Sequence, residues 1–200
     1  MRVHHMKLSQ IIRRKFIRFM RFFIATFVFT IININASYSA VCNNEADKII
    51  KLYNLKPLEF EGGYFKQTYK LESYDSDKIP KATAILFLLK TGDKSRMHKL
   101  FSDEIYHFYE GDPIRMLQLN PDGTSHTIIL GKDIAHGQQL QVIVPKDTWQ
   151  GSSVIDGGCY ALVGTTMTPG FDISEFQLGK RNELIKKYPQ DKDIINYLTG

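Results

Sequence analysis

From Gly62 onward the chain falls into short runs in which apolar and polar residues alternate, separated by turn residues, the period-two signature of a β-rich domain. The runs are Tyr64 to Leu71, Ala82 to Leu89, Glu104 to Glu110, Ile114 to Leu119, Ser125 to Leu130, Leu140 to Val144, Val154 to Ile155 and Tyr160 to Thr166. Ala82 to Leu89 is apolar almost throughout, as a strand covered on both faces would be. Asn120-Pro121-Asp122-Gly123 supplies a tight turn between two runs and predicts a hairpin. Ahead of these strands, Ala46, Ile49, Ile50 and Tyr53 recur at helical spacing behind Asn44, which predicts a capped helix over Glu45 to Tyr53. At the other end, Asn182 to Tyr188 and Asp191 to Leu198 carry helical patterns divided by Pro189. The pattern predicts one all-β domain with short peripheral helices.

Residues 1–40 break that pattern. They contain seven basic residues and no acidic one, followed by the apolar run Phe22 to Ile32 and a small-residue stretch, Ala36-Ser37-Tyr38-Ser39-Ala40. A basic region, an apolar stretch and a small-residue end describe a secretory signal peptide cleaved near residues 36–40, so a secreted or periplasmic protein is expected. An uncleaved membrane anchor is the second reading. The apolar stretch is shorter than the roughly 20 residues a membrane span needs. Removing this segment leaves 19 basic against 21 acidic residues, a formal charge of −2, and the basic balance that would suggest a nucleic-acid partner disappears. The remaining residues, 41–200, suit a single domain. They hold both cysteines, Cys42 and Cys159, for which a disulfide and two free thiols are both open.

The chemistry is concentrated between Gly92 and Gly111, where Gly92, His98, Glu104 and Gly111 stand at the spacing G-x5-H-x5-E-x6-G. This resembles the first motif of the cupins, double-stranded β-helix (jelly-roll) barrels. Further words resemble one branch of that superfamily: Glu61-Gly62-Gly63-Tyr64-Phe65, Ser102 to Tyr109, Leu130-Gly131, Val144-Pro145, Leu162-Val163-Gly164 and Pro169-Gly170-Phe171-Asp172. The resemblance implies a cupin barrel over residues 41–200. It also implies that the motif glutamate faces the interior and that many members hold a metal with two histidines and the glutamate of the first motif and one histidine of the second. Here Leu100 takes the place of one histidine and Gln150 of another. His98, Glu104 and an amide oxygen of Gln150 would be a poor trap for zinc, iron or copper, so no cofactor is expected.

Strand alternation puts Glu104, Tyr106 and Phe108 on one face and Ile105, His107 and Tyr109 on the other. With Glu104 inward, His98 and Glu104 become the candidate base and acid of a proton transfer, since the fold hosts sugar epimerases and isomerases that work this way. Tyr64, Gln67, Tyr106, Phe108, Trp149 and Gln150 are the candidate ligand-binding residues around them. The expected function is binding of a small polar or sugar-like molecule, with isomerisation or epimerisation as its chemistry. A non-catalytic binding protein and a metal-dependent oxygenase-like cupin are the competing readings. A homodimer formed through sheet edges is expected.

Overall fold

The computed structural model describes residues 41–73 and 79–200; the expected leader lies outside the described residues. Helical backbone over residues 41–53 (α1) opens the described chain. Eleven strands follow: β1 (Lys56–Pro57), β2 (Tyr64–Leu71), β3 (Ala82–Lys90), β4 (Ser95–Lys99), β5 (Glu104–Gly111), β6 (Ile114–Leu119), β7 (Ser125–Leu130), β8 (Gln141–Val144), β9 (Trp149–Val154), β10 (Tyr160–Met167) and β11 (Gln177–Leu178). The chain closes with helices α2 (Arg181–Lys187) and α3 (Lys192–Leu198). Among the described residues no helix is long and apolar enough to cross a membrane.

The strands form two sheets, one in the order β1-β2-β3-β10-β5-β8 and one in the order β11-β4-β9-β6-β7, with every ladder antiparallel. Their inner faces meet in a core that includes Phe87, Leu89, Ile114, Met116, Val142 and Val163. Each such side chain contributes about 1.5–3 kcal/mol relative to exposure. The helices cover the outer faces. Ala46 of α1, with Ile49 and Ile50 beside it, packs on Leu88, Tyr160 and Leu162 of the larger sheet. Leu184, Ile195 and Leu198 of α2 and α3 pack on Met97, Leu117 and Leu119 of the smaller one.

Two details differ from the sequence reading, and one choice that it left open is decided. The first helix already runs at residue 41, so Asn44 lies inside it rather than at its cap. Its early start carries Cys42 onto the sheet, where it forms a disulfide with Cys159 across 117 residues, at a Cα separation of 4.7 Å. Strand β4 was not expected, because Ser95-Arg96-Met97-His98-Lys99 has no alternating apolar face.

Candidate functional site

Strand β4 is irregular, and that irregularity builds the site. Ser95 pairs with Ser152 and His98 with Gln150, so three steps along β4 match two along β9, the mark of a β-bulge. In a regular strand residues three apart face opposite ways. Here both turn inward: Ser95 is fully buried and donates its hydroxyl to Glu61 Oε1 at 2.6 Å, while His98 is 1% exposed and lines a cavity. Between them Met97 packs outward under the C-terminal helices.

The cavity has a volume of about 600 Å³ and opens between β2, β3, β4 and the segment after β10. Leu58, Phe60, Phe65, Ile85, Met167 and Phe171 give it a largely apolar wall. His98, Glu104, Glu61, Gln67, Thr83 and Asn54 are its polar members, and Lys56 and Lys66 also border it. The aromatic rings form a chain that fixes the imidazole. Phe171 lies parallel to Phe60 at 6.3 Å, Phe60 meets Phe176 edge-on at 4.8 Å, and Phe176 stacks on His98 at 5.1 Å.

His98 Nδ1 lies 2.7 Å from the carbonyl of Arg96. A carbonyl only accepts, so Nδ1 carries the proton and Nε2 of the neutral ring keeps its lone pair. Glu104, the first residue of β5, is buried to 6% exposure, and its Oε2 accepts the Gln150 amide at 2.7 Å. Burial pushes its carboxyl above the usual glutamate range and the nearby Glu61 adds to that, against the opposing pull of His98 and of donors from Thr165 and Gln150. Tyr106 is pushed well up by burial and by the charges of Glu104 and Glu61, with its hydroxyl in hydrogen-bonding contact with Glu104.

Sequence-predicted residues divide along strand faces. His98, Glu104 and Gln67 line the cavity, and Gln150 reaches Glu104 from behind it. Tyr106 and Phe108 share the inner face of β5 but belong to the packed core rather than the cavity wall. Tyr64 pairs with Leu88, whose side chain faces α1, so its ring joins the outer cluster under that helix. Trp149 adjoins Gln150 on β9, and alternation sends it to the other side, against the C-terminal helices. Tyr64 and Trp149 are therefore corrected from cavity-facing to outward-facing.

Glu61 and Phe171 are the residues the sequence reading missed. Glu61 was legible only as the start of a glycine turn. Gly62 has φ +113°, and a Cβ there would overlap the Lys94 carbonyl, so only glycine makes the bend that delivers Glu61 to the cavity. The guanidinium of Arg96 holds the same bend, with Nη2 donating to the carbonyls of Glu59 at 2.8 Å and Phe60 at 2.7 Å, and Nε to that of Glu61 at 3.2 Å. Phe171 follows the Pro169-Gly170 corner, whose backbone is tied to Pro80 and Thr83.

The residues do not fit the metal centre that the resemblance implies. Leu100 contributes hydrocarbon to the cavity wall where an imidazole would be needed. Gln150 directs an N–H group at Glu104, and an N–H group is no ligand for a cation. Among the described residues no three histidine, cysteine, aspartate or glutamate side chains converge as a metal set.

Residues 47–179 match the model of a family described as Cupin superfamily (DUF985). Among solved structures, the chain is similar to a protein from Shewanella oneidensis, at 33% identity and a TM-score of 0.71, over 77% of this chain and 96% of that one. It is also similar to a hypothetical protein from Leishmania major, at 28% identity and a TM-score of 0.67, over 76% and 97% of the two chains. An oxalate decarboxylase from Bacillus subtilis aligns at 12% identity with a TM-score of 0.44, over 69% of this chain and 36% of that one, a likeness that carries no chemistry across. No curated protein matches the chain.

Proposed function

The chain belongs to the Cupin superfamily (DUF985) family, and from that footing we propose that it binds a small molecule inside its barrel, against His98 and Glu104. The observation that carries this reading is the cavity of about 600 Å³ with an imidazole and a carboxyl buried in an otherwise apolar wall. A volume of that size, greasy walls and a few convergent polar groups are the ordinary make-up of a ligand site. Buried polar groups are costly without a purpose or a partner, and this pair faces open volume.

The chemistry we assign to the pair is proton transfer. Nε2 of His98 has a lone pair to accept a proton, and burial raises the proton affinity of the Glu104 carboxyl, which suits it to donate one. Together they suit abstraction at one carbon of a bound ligand and return at the same or a neighbouring carbon, which is epimerisation or isomerisation. The leader-like composition of residues 1–40 and the Cys42–Cys159 bridge support an exported protein, since disulfides persist in oxidising compartments.

Native mass spectrometry of gently purified protein tests the reading. A bound species of a few hundred daltons is expected, lost when Leu100→Trp fills the cavity. His98→Ala should retain that species while abolishing its turnover. An unliganded mass, with no compound from a metabolite mixture raising the unfolding temperature, would remove the basis for the proposal.

A further inference from the structure

Glu61, His98 and Glu104 give the polar end of the cavity a set of hydrogen-bond acceptors. Glu61 and Glu104 both line it, and neither forms an ion pair with lysine or arginine among the described residues. Glu61 Oε1 accepts the Ser95 hydroxyl at 2.6 Å, and Glu104 Oε2 accepts the Gln150 amide at 2.7 Å. His98 adds a third acceptor. Its proton is committed through Nδ1 to the Arg96 carbonyl, and its Nε2 makes no hydrogen bond among the described residues although the side chain is 1% exposed and lies on the cavity wall. Behind Glu104, outside the cavity wall, Gln150 Oε1 is buried with no partner among the described residues. Buried acceptors and carboxylates left in this condition are destabilising until something donates to them.

The walls complete the description. Phe60, Phe65 and Phe171 present aromatic surface to the same volume, and aromatic faces attract cations in a desolvated site. At the rim stand Lys56 and Lys66; the β1–β2 register pairs Lys56 with Phe65 and so places it on the same face of the sheet, and the two positive charges disfavour a second cationic group at the far end of a ligand.

Resting on the reading that the cavity takes a small molecule, we propose that this molecule is an organic monocation, a protonated amine whose ammonium is held by Glu61 and Glu104 and whose apolar body lies against Phe60, Phe65 and Phe171. An ammonium brings three N–H donors and one positive charge, which answers His98 Nε2 and the two carboxyl groups together. The apolar wall sets this ligand apart from the sugar-like one expected from the sequence, because a sugar's ring of hydroxyls would lose its hydration against phenyl and aliphatic groups that return no hydrogen bonds.

The test compares 2-phenylethylamine, 2-phenylethanol and 3-phenylpropionate, which share an apolar body and differ in head group, by isothermal titration of the full chain at pH 7.5. The amine is expected to bind at least about tenfold more tightly than the alcohol, the size of a charge-assisted hydrogen bond, with the carboxylate weakest. Glu61→Gln should erase the advantage of the amine over the alcohol. If the alcohol or the carboxylate binds as tightly as the amine, the cation assignment is overturned while the cavity remains a ligand site. If none of the three binds, the assignment is overturned as well, and the cavity reading then rests on the native mass spectrum alone.

Discussion

Glutamine in place of Glu104 makes a sharp energetic test, because the carboxyl sits in the barrel interior with its native proton affinity raised chiefly by burial. Below the ordinary glutamate value near 4.5, native and unfolded chains both carry the proton and the group adds no pH dependence. Above it the unfolded chain ionises first while the native carboxyl keeps its proton, so the unfolded state is favoured by rising pH. The contribution is fully present below 4.5 and is lost as pH climbs from there through the raised native value. For one proton the slope is about 1.4 kcal/mol per pH unit. Glu104→Gln keeps the shape and the contact with Gln150 but cannot ionise, so the slope vanishes from the variant. Urea unfolding, followed through the single tryptophan, Trp149, gives both stabilities from pH 4 to pH 7. The difference should shift in favour of the variant as pH rises across that range, with a slope of up to about 1.4 kcal/mol per pH unit. A flat difference, or one that moves in favour of the wild type, would show that Glu104 is held ionised by its donors and would refute the reasoning.

Three further outcomes are expected. Replacing both cysteines by alanine frees a segment of 117 residues in the unfolded chain, a loss of up to about 5 kcal/mol on the chain-entropy argument; urea unfolding that shifts by less than about 1 kcal/mol would mean that α1 is docked without the bridge. The double substitution Leu100→His and Gln150→His should create cobalt binding with visible d–d absorption, because His98, position 100, Glu104 and position 150 all bear on one end of the barrel; a spectrum identical to that of the parent would show that those positions do not converge. Strand β8 ends the larger sheet and exposes Ile143, so light scattering should report a homodimer that Ile143→Lys dissociates, and a monomeric parent would remove that expectation.

Strands with one face more deeply covered than the other were legible as alternation, as in β5 and β8. Alternation grouped Glu104 with Tyr106 and Phe108 on one face, and the family resemblance implied that this face is the inner one. What stayed hidden was decided by bulges and by contacts distant in sequence. Strand β4 carries its inward residues, Ser95 and His98, at a spacing that no regular strand allows, so period-two reasoning passes over it. Trp149 and Gln150 were both placed in the cavity although neighbours on a strand cannot share a face, an error that came from starting β9 too late. Glu61 reads locally as the lip of a Gly-Gly turn. Its role emerges only when the turn is folded against Lys94 and held by Arg96, residues more than 30 positions away. The disulfide was undecidable for the same reason, since the docking of α1 on Leu88, Tyr160 and Leu162 is what carries Cys42 to Cys159.

The central claim is that the hollow beside His98 and Glu104 receives a ligand, and methyl NMR during titration with 2-phenylethylamine tests it most directly. Methyl signals of Ile85, Leu100, Met167 and Ile173, which line the hollow, should move together and saturate with one binding constant, while those of Met97, Leu117 and Ile195, packed under the C-terminal helices, stay in place. Wall methyls that remain unmoved while the others shift, or a response that never saturates, would contradict the account.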